Sequence, residues 1–295
     1  MSERIDAHQH FWNYSPSEYG WIDDSLLTLK RDFLPAELAI HLDNHSLDGS
    51  VAVQARQTVN ETRWLLELAE NNPRIFGVIG WLDLQSSSLT ADLDSLSASP
   101  ALKGLRHVIQ DEPDNNFILR PAFVKGVTSL AGYGLTYDIL IVSQQLPATV
   151  SFVRNFDSQP FVIDHIAKPC IKDGEFEFWK QHMAELARYE RVYCKLSGMV
   201  TEATWHSWKP EDIIPYMETV ITLFGPDRVM FGSDWPVCTV AGSYDDIIAL
   251  VENYIAALSL DEQAQIMGRT AATFYSLTPR NQLNESNNNT RTRHC

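Results

Sequence analysis

Short runs of apolar and β-branched residues recur along the chain, each followed by a longer stretch in which apolar residues return at helical spacing. The runs begin near Arg4 (RIDAHQHF), Gly49 (GSVAVQA), Ile75 (IFGVIGWLDL), Leu102 (LKGLRHV), Leu135 (LTYDILIV), Pro160 (PFVIDHI), Arg191 (RVYCKL) and Val229 (VMFGS). Most are nearly continuous in apolar residues, as strands buried on both faces must be. Between them, residues 61–70 carry Trp64, Leu65, Leu68 and Ala69 on one helical face, and 176–188 and 244–258 read the same way. Ser243 followed by Asp246 has the spacing of an N-cap with an acidic third helical residue.

Eight strands alternating with helices predict parallel βα units, closed as a barrel or laid out as a doubly wound sheet. The count of eight favours the barrel, and so does the lack of GxGxxG in the first βα turn. No segment rich in Pro, Gly or Ser divides the chain. The expected architecture is therefore α/β: a single (β/α)8 barrel over residues 1–278, with 279–295 as a polar, disordered tail. The long first interval, residues 13–32, holds Tyr14, Tyr19 and Trp21 and is expected to lie over the barrel mouth.

Composition narrows the partners. Twenty-three Lys and Arg stand against 38 Asp and Glu, a net charge of −15, which disfavours a nucleic-acid or anionic-membrane partner. The four cysteines, at 170, 194, 238 and 295, form no CxxC pair and read as reduced thiols. No signal peptide and no apolar stretch long enough to span a bilayer is visible, so the expectation is a cytoplasmic monomer or homodimer acting on a small molecule.

Candidate chemistry collects at strand ends. Asp6-Ala7-His8-Gln9-His10 closes the first strand, and residues two apart share a face, so His8 and His10 project together. Strand four ends in Arg106-His107, strand six in Asp164-His165, and strand eight in Ser233-Asp234-Trp235-Pro236. In a barrel these ends form the catalytic face. An ionised Asp234 could take a proton from water while His8, His10 and His165 polarise a carbonyl or hold a divalent ion. That combination predicts hydrolysis of an ester, lactone or amide. No GxSxG elbow and no phosphate-binding GxxxxGK[ST] competes with it.

The pieces IDAHQHFW, VQAR, GWLDL, GLRHVIQDE, DHIAKP, CKLSGMVTEATW and FGSDWPVC, in that order, resemble the amidohydrolase superfamily. The similarity covers about residues 4–278 and points to the sugar-lactonase branch, nearest its L-fuconolactone-hydrolysing members. It implies opening of an aldonolactone ring by water in sugar catabolism. Asp234 would be the general base, with His8, His10 and His165 orienting the lactone. His107, Arg56, Tyr137, Trp12, Trp81 and Trp235 would contact substrate or line its pocket. His8, His10, His165 and Asp234 would hold one Zn²⁺ or another divalent ion, or work without one. The end of strand four, Gly104-Leu105-Arg106-His107, lacks the bridging Lys or Glu of binuclear members, which argues against a two-metal centre. Two alternatives are a metal-dependent decarboxylase of an aromatic acid on the same fold and a non-catalytic sugar-acid binder.

Overall fold

The computed structural model describes residues 3–277; the predicted tail at 279–295 lies outside them. Eight strands form: β1 (Ile5–Gln9), β2 (Gly49–Val53), β3 (Ile75–Gly80), β4 (Leu102–Val108), β5 (Thr136–Leu140), β6 (Phe161–Ile163), β7 (Val192–Leu196) and β8 (Val229–Phe231). Each pairs in parallel with the next, in the order β1 to β8. The first and last meet through a bridge between Gln9 and Trp235 and through bonds from His10 N to Trp235 O (2.7 Å) and from Asp234 N to His8 O (2.8 Å). The predicted (β/α)8 barrel is thus nearly closed at its mouth.

Helices follow the strands: α1 (Pro35–Asn44), α2 (Val59–Asn71), α3 (Leu89–Leu96), α4 (Pro121–Leu130), α5 (Leu146–Val153), α6 (Glu177–Leu186), α7 (Pro210–Phe224) and α8 (Tyr244–Ile255). In α2, Leu65 and Ala69 are buried while Trp64 and Leu68 are half-buried. Ser243 caps α8 by accepting from Asp246 N, as its spacing predicts. Among the described residues no helix is long and apolar enough to cross a membrane.

Two buried layers result from strand alternation. Val51, Val53, Ile79, Val162 and Met230 point into the barrel and pack with Ala271, Phe274 and Tyr275 of the C-terminal segment. Ala52, Val78, Leu105, Tyr137, Ile139, Phe161 and Cys194 take the opposite phase, toward the helices. Asp138, Asp164 and Lys195 share the inward phase, so charge enters the barrel where apolar residues would otherwise fill it. Ile5 and Ala7 are inward too, but the β1–β2 register slips between Asp6 and Gln9. That extra residue, a bulge, re-aims the end of β1 so that His8 and His10 enter the mouth.

Candidate active site

A cavity of about 620 Å³ opens over the C-terminal ends of the strands, with His10, His165, Asp234, Arg56 and Arg106 in its wall. Glu18, Trp21 and Leu26 of the 13–32 segment also line it, as expected of a loop over the mouth. At its floor, His10 Nε2 lies 3.3 Å from Asp234 Oδ1 and 3.2 Å from His8 Nε2. His8 Nε2 and His165 Nε2 stand 3.8 and 3.9 Å from the same carboxylate oxygen.

Backbone geometry holds these groups in place. Asp234 sits at φ +59° just after β8, and its neighbour Ser233 gives both N–H and hydroxyl to buried Asp6 (2.9 and 2.6 Å), which also accepts from Tyr244. His165 begins a run of four left-handed residues, His165 to Lys168, with φ between +46° and +62°. Such conformations are strained for side chains other than glycine and concentrate at functional sites. Trp179 Nε1 donates to Ile166 O (2.6 Å) and pins the turn from below. Ser197 Oγ meets His165 Nδ1 at 2.9 Å.

Gly198, itself at φ +59°, backs the same ring: a Cβ there would lie 2.5 Å from His165 Nδ1. Gly198→Ala must therefore adopt a disfavoured φ and push the imidazole. It should lose about 1–3 kcal/mol of stability, read as a lower thermal midpoint. An unchanged midpoint would mean that the turn relaxes freely.

Charge beneath the floor is balanced by pairs. Lys195 Nζ meets Asp138 Oδ2 (2.6 Å), Asp164 Oδ1 (3.0 Å) and His8 Nδ1 (3.2 Å), all fully buried. Arg106 Nη1 donates to Asp164 Oδ2 (3.0 Å) and approaches His8 Nε2 (3.3 Å), and its other amino group bonds Gln54 O. Burial raises the Asp234 carboxyl, but His165, His10 and His8 together outweigh it and hold Asp234 well below the usual carboxylate range. Burial pushes His165 down to about 4 against the pull of Asp234 and Asp164, and also drives His8 well below the normal imidazole value. At neutral pH an ionised Asp234 thus faces the neutral imidazoles of His8 and His165.

The donor set suits a cation. Val53 O can only accept, so its 2.8 Å bond to His10 Nδ1 puts a proton on Nδ1 and turns Nε2 toward Asp234. His10 Nε2, the Asp234 carboxylate and His8 Nε2 converge, and ligand atoms of the three residues lie within 4.8 Å of one another. Two imidazoles and a carboxylate match what Zn²⁺ takes.

Strand alternation separates the other expected site residues. Arg106 points inward, so its neighbour His107 points out: it stacks on Phe117 (4.9 Å between centroids), bonds Glu112 (2.7 Å) and accepts from Trp81 Nε1 (3.2 Å). Tyr137, next to inward Asp138, is buried against Phe123 and Phe161. Trp12 is buried and donates to Arg31 O, and Trp235 is buried against Phe11 and Phe33. His107, Tyr137, Trp12, Trp81 and Trp235 are not among the residues lining the cavity, nor is His8, which is fully buried behind His10 and Asp234, whereas Arg56 is. Arg56 pairs with Glu18 at 2.7 Å and lies over Tyr19; its loop is held by buried Glu61, which accepts from Ala55 N and Arg56 N. Sequence reasoning gave no role to Arg106, Lys195 or Glu61. Their signal was available: a charged residue inside an apolar strand or on a helix's core face must find a partner.

A family model described as amidohydrolase matches residues 5–277. The chain belongs to the amidohydrolase family. Among relatives of this amidohydrolase, an L-fucono-1,5-lactonase from Burkholderia multivorans is 39% identical over 285 residues, covering 93% of this chain and 96% of its own. Another from Burkholderia ambifaria is 36% identical, covering 94% and 97%. A solved amidohydrolase from Burkholderia multivorans with bound zinc is similar at TM-score 0.90 and 40% identity, covering 94% of this chain and 100% of its own.

Proposed function

We propose that this amidohydrolase opens a sugar lactone, most like L-fucono-1,5-lactone, to its aldonic acid. The observation that carries the reading is the ionised Asp234 among His8, His10 and His165 at the barrel mouth, in a chain 39% identical to an L-fucono-1,5-lactonase. A water held beside Asp234 and His10 would give a proton to the carboxylate and aim its lone pair at the lactone carbonyl. As the water attacks, charge grows on the carbonyl oxygen. Arg106, fixed by Asp164 and Gln54 and open to the cavity, is the permanent positive group placed to stabilise it. Arg56 and Lys168 in the cavity wall would meet sugar hydroxyls or the new carboxylate. Ring opening then needs a proton on the leaving oxygen, which Asp234 has just gained.

His8, His10 and Asp234 would hold a divalent ion, with His165 beside them, and the ion would add Lewis-acid polarisation of the carbonyl. Zn²⁺ titrated into the wild-type protein should release binding heat, and His10→Asn should abolish most of it. Equal heats from both proteins would remove His10 as a ligand.

Acid release from L-fucono-, L-rhamnono- and L-galactono-lactones, with and without chelator, tests the reaction. No acceleration on any lactone would sink it. The pH profile follows from the site. His165, with a value near 4, faces Asp234, Asp164, Lys168 and Arg106. As pH falls through about 4, His165 gains a proton and its charge ties up the Asp234 carboxylate, so kcat/KM falls on the acid side only. A limb near pH 6.5 instead would show that His165 titrates as an ordinary imidazole.

A further inference from the structure

The cavity wall is chemically divided. Above His10 and Asp234, over β1 and β8, it holds an apolar group, Trp21 and Leu26 from the first loop with Val237 and Val240 from the turn after β8, while Glu18 of that loop pairs with Arg56. The turns Asp24–Leu29 and Val237–Val240 pack against each other, and Leu26 and Val237 rest on the main core. Over β2, β4, β6 and β7 the wall carries charged and amide groups, Arg56, Gln110, Lys168 and Glu202, alongside Ala55, Val108 and Trp205. Lys168 pairs with Glu202 at 3.2 Å and reaches Gln110 at 3.2 Å, so this flank is a connected set of donors and acceptors. The apolar flank is tied to the base: Val237 lies three residues after Asp234, and Cys238 N donates to Asp234 O at 2.9 Å.

We propose that Leu26, Val237 and Val240 form the subsite for the C6 methyl of a 6-deoxy sugar lactone and set the preference for it over the 6-hydroxy analogue. The inference rests on the lactonase reading and extends it from the reaction to the substrate's substituent. A lactone whose reacting carbonyl lies at Asp234 can turn its hydroxyl-bearing edge toward Arg56, Gln110 and Lys168. Its C5 substituent then falls on the opposite, apolar flank. A methyl there gains contact. A hydroxymethyl would bring a hydroxyl against carbon with no partner, which penalises it.

L-fucono- and L-galactono-lactone of the same ring size differ only in hydrogen or hydroxyl at C6, so their kcat/KM ratio isolates this contact. The wild-type protein should favour the fucono compound by about tenfold to a hundredfold, the span an apolar pocket achieves against an added hydroxyl. Val237→Thr and Leu26→Asn keep side-chain shape and supply a polar partner. Each should cut the ratio about tenfold, chiefly by improving the galactono value. A wild-type ratio at or below one, or a ratio unchanged in both variants, overturns the subsite. Absence of turnover on both lactones by the wild-type protein would instead overturn the lactonase reading. Because the ratio is taken within one protein sample, partial misfolding of a variant does not alter it.

Discussion

Asp234→Asn is expected to lower kcat on L-fucono-lactone by about a thousandfold, with KM within a few-fold of wild type. Asn has nearly the shape of Asp but cannot take a proton from water, and it removes the one negative charge that His8, His10 and His165 converge upon. Among the described residues no second carboxylate approaches all three imidazoles. Asp164, the other carboxylate close to His8, is fully buried and already bound by Lys195 and Arg106. A thousandfold loss corresponds to about 4 kcal/mol of transition-state stabilisation. Initial rates measured by acid release at fixed pH decide it. A loss below tenfold would move the base to another residue or leave the imidazoles alone to activate water. Folding should survive, since the backbone bonds that seat residue 234, Asp234 N to His8 O and Cys238 N to Asp234 O, do not involve its side chain.

The fold was legible because its signal is repetitive. Every β-branched run became a strand at or within a few residues of its predicted start, and eight such units leave few topologies. His8, His10, His165 and Asp234 were legible because strand ends in a barrel share one face. What the sequence could not settle was phase. Arg106-His107 and Tyr137-Asp138 are adjacent pairs of which only one member can face inward. The bulge in β1 adds a further trap: phase counted from Ile5 and Ala7 would turn His8 outward, and only the register slip against β2 brings it back. For the tryptophans, residue type alone does not fix the position. A large amphipathic ring suits a pocket wall or a core equally well: Trp12 is buried with its indole N–H on Arg31 O, whereas Trp205 donates to Thr201 O and still lines the cavity. Trp21 and Trp205, half-exposed at the mouth, are the indoles that do line the cavity.

The second large effect concerns stability. Lys195→Met should destabilise the fold by about 3–5 kcal/mol, the usual result of removing one partner from a buried ion pair. For a chain of this size that lowers the thermal midpoint by roughly 10 °C. Inside the barrel two cations, Lys195 and Arg106, balance two carboxylates, Asp138 and Asp164, and all four are buried. Methionine fills the space of the lysine stem but leaves one negative charge in excess. Asp138 is the group that must respond. Burial already pushes its carboxyl up to about 6, with Lys195 opposing the rise, and Tyr275 donates to the same oxygen that Lys195 holds. Without Lys195 the folded protein keeps Asp138 protonated to higher pH than the unfolded chain does. A folded-state value raised above the unfolded one means stability is present at low pH and is lost as pH rises through that window. The defect in Lys195→Met should therefore be larger at pH 8 than at pH 5.5 in denaturant unfolding. Adding Asp138→Asn, which removes the excess charge, should recover part of the loss at pH 8 and little at pH 5.5. A loss independent of pH, or a double variant no better than the single one, would show that Lys195 matters for packing rather than for charge.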